Sequence, residues 1–110
     1  MNIAYHASDS FAKVTGTSIV SIFENNKDAD DITIYIIEKK FTDDNKKKMK
    51  ELADKYDRKI ILIPMPDINE TEDLQLKKVK EKWIFDSYCR LFLDKLLPES
   101  VDRVLYLDGD

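Results

Sequence analysis

Four short apolar runs along this chain are separated by longer segments of mixed polarity. The runs predict strands at residues 3–7, 32–37, 60–63 and 101–107, and the second run is rich in β-branched residues. Pro64 and Pro66 follow the third run and should end it, because proline cannot continue a strand ladder. Strands that alternate with helical segments at this spacing predict βαβ units and a mostly parallel sheet.

The intervening segments show the three- and four-residue apolar spacing of amphipathic helices. The first helix is predicted from position 11 to about position 26, after three capping residues, Ser8, Asp9 and Ser10. Its predicted apolar stripe contains Phe11, Val14, Ser18 and Ile22, with Ile19 and Phe23 beside it. The second helix should begin after Thr42 as its N-cap, with Met49, Leu52, Ala53 and Tyr56 buried and the lysines at 46, 47, 48 and 50 in solvent. A third helix is predicted at residues 83–97, behind a polar segment, 67–82, that is interpreted as a loop or a loose surface helix.

These elements predict an α/β fold with a mostly parallel, Rossmann-like sheet, helices on both faces and the strand order 3-2-1-4. The order follows if strands two and three build outward on one side of strand one and strand four returns to its other side. Ligands of such sheets bind beyond the carboxyl ends of the strands, where the winding direction reverses. We therefore expect residues 7–11 to lie next to residues 108–110 and to form a binding site with them.

Composition and charge narrow the class of protein. The net charge of −4 over 110 residues argues against nucleic-acid binding, which usually needs a basic face. Cys89 is the only cysteine, which excludes an intramolecular disulfide and is consistent with a reducing compartment. Its apolar neighbours favour a buried structural thiol. The chain opens without a secretory signal pattern, and its apolar stretches are shorter than the ~20 residues that span a bilayer. We expect a cytoplasmic protein, with peripheral attachment to the inner face of a membrane as an alternative.

The last predicted strand runs directly into Leu107-Asp108-Gly109-Asp110. Gly16 and Gly109 are the only glycines, so neither a G-x-G-x-x-G loop nor a Walker phosphate loop can form within the chain. A divalent cation can hold a diphosphate instead, because Mg²⁺ and Mn²⁺ bind carboxylate oxygens and bridge them to phosphate. Asp108 and Asp110 are therefore candidate metal ligands, although an Asp-Gly-Asp sequence is also common in plain turns.

Four stretches of the chain together resemble the family 8 glycosyltransferases, which have the GT-A fold. YLDGD resembles the DxD motif of that family, and NIAYHASDSFA at residues 2–12 resembles its opening strand and nucleotide loop. SYCRL at residues 87–91 resembles its T-Y-x-R-L helix, and VDRVLYLD at residues 101–108 resembles its D-K-V-L-Y-L-D strand. The four stretches occur in the order of the family and close to its spacing. The resemblance implies a retaining transferase that moves a hexose from a nucleotide-sugar, UDP-glucose or UDP-galactose, to a glycan, a lipopolysaccharide core or another lipid-linked acceptor.

The resemblance also implies how the diphosphate and the sugar are held. Asp108 and Asp110 would bind Mn²⁺, for which Mg²⁺ could substitute, and Asp108 would also face the ribose or the sugar. Arg90 would contact the donor sugar or its diphosphate, since a guanidinium suits both phosphate and vicinal hydroxyls. Arg90 could instead pair within its helix with Asp86 or Asp94, each four positions away. The resemblance assigns no catalytic residue within this chain.

The nucleotide is assigned by the same resemblance to Ala7, Ser8, Asp9 and Phe11. Ala7 and Ser8 would meet the uracil and the ribose, and Phe11 would stack on the base. The family usually has a tyrosine in place of Phe11 and often a carboxylate in place of Ser8, so both positions depart from its pattern. Phe11 could instead be a core residue at the head of the first helix. His6 is interpreted as a strand residue rather than a metal ligand. Because it is the only histidine, we expect neither a zinc cluster nor a histidine-based triad.

Two other protein classes share part of this pattern. In a haloacid-dehalogenase-like phosphatase, Asp108 would be the nucleophile and Asp110 the acid/base, but that motif normally lies on the first strand of its domain. A receiver-like or flavodoxin-like binding module is the non-enzymatic alternative, and the prolines after the third strand disfavour the acidic cluster of a receiver. We expect residues 1–110 to be the N-terminal nucleotide-sugar-binding part of one GT-A domain, cut after the DxD motif. The third metal ligand and the acceptor site are then expected beyond residue 110.

Overall fold

The computed structural model describes residues 1–65, 97–98 and 103–108. In chain order they form β1 (Asn2–Ser8), a 3₁₀ helix (Asp9–Phe11), α1 (Ala12–Asn25), β2 (Thr33–Lys39), α2 (Asp43–Tyr56), β3 (Lys59–Pro64) and β4 (Leu105–Asp108). No helix in this described part has the length and apolar character needed to cross a bilayer. The predictions for the polar segment 67–82, for residues 83–96 with Cys89 and Arg90, and for residues 109–110 lie outside the described residues.

The four strands form one sheet in the order β3-β2-β1-β4, and every described strand pair is parallel. The predicted α/β class and the strand order 3-2-1-4 are thereby confirmed. β1 is central: it pairs with β2 from Asn2 to Ser8 and with β4 from Ile3 to His6. The carboxyl ends of β1 and β4 consequently lie side by side, where the direction of winding reverses.

α1 and α2 pack on the same face of the sheet and enclose the main core. That core contains Ile3, Tyr5, Ala7, Ala12, Ile19, Phe23, Ile32, Ile34, Ile36, Phe41 and Met49. The fully buried Tyr5 hydroxyl lies 2.7 Å from Ser18 Oγ, which connects β1 to α1, and burial raises the pKa of Tyr5. On the opposite face, Ala4 and Tyr35 pack with Leu97. The two central strands are therefore covered on both faces, as their continuous apolar sequences predict.

The buried side of α1 differs from the predicted stripe. Its buried residues are Ala12, Thr15, Ile19 and Phe23, whereas Phe11 and Val14 are 44% and 47% exposed. The buried set is the predicted set moved along by one residue, which is about 100° around the helix axis. Phe11 and Val14 of the predicted stripe therefore do not face the core, because the inward face is centred on Ile19 and Phe23. Two apolar side chains are left on the surface at the start of α1.

α2 agrees with its prediction at its first residue and along its buried side. Thr42 is the N-cap, and its Oγ1 accepts a hydrogen bond of 3.2 Å from the backbone N–H of Asn45. Met49 and Ala53 are buried, and Leu52 and Tyr56 pack at the margin of the core. The four lysines at positions 46, 47, 48 and 50 are exposed. That run of positive charge is a solvated helix face.

Candidate functional site

The carboxyl edge of β1 and β4 is the place where the topology predicts a ligand site. In the parallel register, His6 of β1 lies opposite Asp108 of β4. On the other side of β1, Ala7 lies opposite Glu38 of β2. β1 therefore continues for two residues beyond the level of Asp108 before the 3₁₀ helix begins. This register brings the backbone of Asp108 beside the start of segment 7–11.

The side chains of segment 7–11 have different surroundings. Ala7 is 3% exposed and belongs to the main core. The Ser8 hydroxyl is part-exposed and lies 3.0 Å from the hydroxyl of Ser10. Phe11 ends the 3₁₀ helix with 44% of its surface exposed, so the alternative that Phe11 is a core residue is wrong. An aromatic ring and a serine hydroxyl are thus accessible at the switch point.

Asp9 is bound to the beginning of α2. Its Oδ1 accepts hydrogen bonds from the backbone N–H of Thr42, at 2.8 Å, and from Nδ2 of Asn45, at 2.7 Å. The Thr42 N–H first, and then the Asn45 amide, lower the pKa of Asp9 below its ordinary value. The sequence predicts Ser8, Asp9 and Ser10 as caps of the first helix, but no side chain caps the 3₁₀ helix or α1 at its N-cap residue. Asp9 instead caps the N-terminus of α2.

A second carboxylate holds the same loop between β2 and α2. Glu38 is buried, with 5% of its surface exposed, and its Oε2 accepts a 2.7 Å hydrogen bond from the N–H of Phe41. Lys40, inside this turn, has a positive φ of 57°. The consecutive amides of Phe41 and Thr42 are therefore bound by Glu38 and Asp9 respectively.

Glu38 and Asn45 are the residues of this arrangement that the sequence reasoning missed. One available signal was an acidic residue at the end of the apolar run of β2. The other was a polar amide three positions after the N-cap of α2, where a capping box has its second member.

His6 behaves as the strand residue that the sequence predicts. It is part-buried in β1, and its Nδ1–H donates to the carbonyl oxygen of Ile37 at 3.0 Å. Among the residues that the structure describes, no group of three or more His, Cys, Asp or Glu side chains could hold a metal ion. The carboxylate chemistry of Asp108 and Asp110, and the backbone position of Asp108 at the carboxyl edge, fit a hard cation such as Mn²⁺ or Mg²⁺.

The chain resembles solved glycosyltransferase structures over nearly its whole length. The apo structure of the bifunctional glycosyltransferase WbbM superposes with a TM-score of 0.76 at 21% identity, covering 99% of this chain and 18% of that one. The galactosyltransferase LgtC, in complex with donor and acceptor sugar analogs, superposes with a TM-score of 0.69 at 22% identity, covering 100% of this chain and 38% of that one. These likenesses show that the parallel sheet has the GT-A fold.

Two named glycosyltransferases are similar to this chain in sequence. Lipopolysaccharide 1,2-glucosyltransferase of Escherichia coli (strain K12) is 33% identical over 110 residues, which cover all of this chain and 31% of that protein. Lipopolysaccharide 1,3-galactosyltransferase of Salmonella typhimurium (strain LT2) is 26% identical over 109 residues, covering 99% of this chain and 31% of that protein. The chain thus spans about a third of the length of these relatives. The model of glycosyl transferase family 8 matches residues 2–110, and the chain therefore belongs to that family rather than to the phosphatases or receiver-like modules.

Proposed function

We propose that this chain is the donor-binding part of a retaining, metal-dependent hexosyltransferase. The observation that carries the proposal is the register of β1 and β4, which brings Asp108 level with His6 and next to segment 7–11 at the switch point. Family membership supports a transferase. The names of the two relatives, which act on lipopolysaccharide, support a lipopolysaccharide core or another lipid-linked glycan as the acceptor.

The proposed donor is UDP-glucose or UDP-galactose, because the relatives are a glucosyltransferase and a galactosyltransferase. Phe11 is exposed enough to offer a flat apolar face to the uracil. The part-exposed Ser8 hydroxyl can hydrogen-bond to the base or the ribose. The side chain of Ala7 is buried, so its backbone is the part that would meet the nucleotide.

Asp108 and Asp110 are the proposed protein ligands of Mn²⁺, for which Mg²⁺ could substitute. Such an ion, when bound, neutralises the charge that develops on the departing diphosphate. Asp108 would also face the ribose or the sugar. Arg90 is proposed to contact the donor sugar or the diphosphate, where its planar guanidinium can bind two oxygens at once.

The test is the metal dependence of donor binding in the full chain. We expect wild-type protein to bind UDP-glucose or UDP-galactose in the presence of Mn²⁺ and to lose this binding when EDTA is added. Asp108→Ala and Asp110→Ala should each abolish the metal-dependent binding, and calorimetric titration with Mn²⁺ alone should show the loss of the ion. Asp44→Ala is the matched control, because Asp44 is an exposed aspartate in α2 that pairs with Lys48 at 3.1 Å. Unchanged UDP-sugar affinity in both site variants would refute the metal assignment.

The proposal extends to the setting of the enzyme. We place the reaction in the cytoplasm or at the inner face of a membrane, where a lipid-linked acceptor could be reached, and the acidic charge argues against nucleic acid as a partner.

We also propose that residues 1–110 form the N-terminal part of a single GT-A domain. The support is that the relatives are about three times as long as the segment they share with this chain, so acceptor-binding residues and a third metal ligand would come from outside it.

A further inference from the structure

The start of α2 has a capping box whose acidic member comes from another element. In an ordinary capping box, the N-cap side chain accepts from the N–H three residues later, and an acid at that third position accepts from the N–H of the N-cap residue. Thr42 makes the first of these bonds to Asn45. The Thr42 N–H is taken instead by Asp9, from the segment between β1 and α1. Asn45, at the third position, donates its amide to the same Asp9 oxygen.

We infer that Asp9 is a positioning residue: it completes the capping box of α2 from outside the helix and thereby fixes segment 7–11 for the donor. The inference rests on the proposed function, because it explains how the proposed nucleotide contacts are held in place. Asp9 lies between Ser8 and Phe11, and one of its oxygens accepts from both Thr42 and Asn45. We therefore assign its carboxylate a role through α2, in place of the nucleotide contact that the resemblance implies for Asp9.

Two further observations make α2 a firm anchor for this segment. The helix N-terminus carries a partial positive charge that favours a carboxylate at this position. Glu38, which is buried, binds the neighbouring amide of Phe41, so the loop that presents the Thr42 N–H is itself fixed to β2. Segment 7–11 is consequently tied to the sheet at two points, through β1 and through the loop between β2 and α2.

A swap of the two side chains separates positioning from direct contact. In Asn45→Asp, two carboxylates would face each other, and we expect the dissociation constant of the UDP-sugar to rise roughly tenfold. In Asp9→Asn, the amide oxygen can still accept from Thr42, so the rise should be smaller, about threefold. In the double variant Asp9→Asn/Asn45→Asp, the donor and acceptor are exchanged and the hydrogen bond between positions 9 and 45 is restored. The affinity should then return to within about threefold of the wild-type value.

The kinetic readout distinguishes positioning from a general loss of folded protein. In the full-length enzyme, looser placement of the nucleotide segment weakens binding of the donor, so KM for the UDP-sugar should rise in Asn45→Asp while kcat at saturating donor changes little. A variant that only unfolds more easily loses active protein, which lowers the apparent kcat and leaves KM unchanged. Asp44→Asn is the matched control, because it also removes a carboxylate from the first turn of α2, next to Asn45. The Asp44 carboxylate forms an ion pair with Lys48 and is not part of the capping box.

Direct contact predicts the opposite pattern. If the Asp9 carboxylate bound the donor, Asn45→Asp would keep the wild-type affinity, the double variant would bind the donor more weakly than Asn45→Asp, and the inference would be overturned. The capping box can be measured without any donor, because urea unfolding should show that the swap recovers stability lost in Asn45→Asp. Wild-type protein that binds no UDP-sugar would refute the proposed function and the donor-related role of Asp9 together. Donor binding by the wild type without recovery in the swap would refute the positioning role and leave the proposed function standing.

Discussion

The structural role of Phe11 depends on its position at the junction between the 3₁₀ helix and α1. An aromatic residue at the head of an apolar helix pattern is ordinarily a core residue. Here the 3₁₀ helix ends at Phe11 and α1 begins one residue later, so the ring remains 44% exposed at the carboxyl edge of the sheet. Exposure of such a ring is unfavourable in water unless a ligand covers it.

Phe11→Ala should weaken UDP-sugar binding by about 1–3 kcal/mol, the range for stacking between a base and an aromatic side chain. The free energy of unfolding should change by less than about 0.5 kcal/mol, because the ring is not part of the core. Val14→Ala is the control, since Val14 is equally exposed, at 47%, one turn further along the chain. Calorimetry with UDP and chemical unfolding measure the two quantities, and lower stability with unaltered UDP affinity would contradict the stacking role.

Asp9 also makes the stability of the protein depend on pH. Its hydrogen bonds to Thr42 and then Asn45 lower its pKa in the folded state, so its ionised form stabilises the fold above the ordinary aspartate pKa of about 3.9. That contribution is lost as the pH falls through the lowered pKa. The difference in unfolding free energy between wild type and Asp9→Asn should therefore be largest above about pH 5 and shrink below the ordinary pKa. Urea titrations at several pH values test this, and a difference that grows on acidification would contradict it.

At the scale of elements, the two ends of the sheet are held by different chemistry. The carboxyl edge uses the carboxylates of Asp9 and Glu38 to bind loop amides. The amino edge uses a cation to bind loop carbonyls: the Arg58 guanidinium donates to the carbonyl oxygens of Asn26, Lys27, Ala29 and Asp30 at 2.9–3.4 Å. Arg58 thus fastens the connection between α1 and β2 to the start of β3.

Arg58→Ala should lower the free energy of unfolding by about 1–3 kcal/mol, because several carbonyl oxygens lose a charged donor. Arg58→Lys should recover little of this, since an ammonium group cannot reproduce the geometry of a planar guanidinium. UDP-sugar affinity should stay at the wild-type value, because Arg58 precedes β3 at the edge opposite the switch point. Lys47→Ala, at an exposed position of α2, is the control. A loss of donor affinity in Arg58→Ala without a loss of stability would contradict a purely structural role.

At the scale of the whole molecule, the strand order could be predicted because it depends on local patterns. The apolar runs, the helical spacing between them and the right-handed crossover rule leave few arrangements. The rotation of α1 could not be predicted, because the small residues Ala12 and Thr15 give no strong apolar signal although they face the core. The role of Asp9 could not be predicted either, since its partners lie 33 and 36 positions away and only the folded sheet brings them together. The local pattern of apolar residues is therefore enough to predict the strand order, whereas the details of the site depend on polar contacts between residues far apart in the sequence.

The central place of β1 also has a consequence for the time course of folding. β1 pairs with β2 and, on its other side, with β4, which begins only at Leu105. A ribosome that adds about 5–20 residues per second needs roughly 2–8 s to synthesise residues 65–104 after β3 is complete. During that interval β1, β2 and β3 can associate with α1 and α2, while the side of β1 that later pairs with β4 still has no neighbouring strand. Of the four described strands, β4 is therefore the last to be synthesised, and its pairing with β1 completes the switch point.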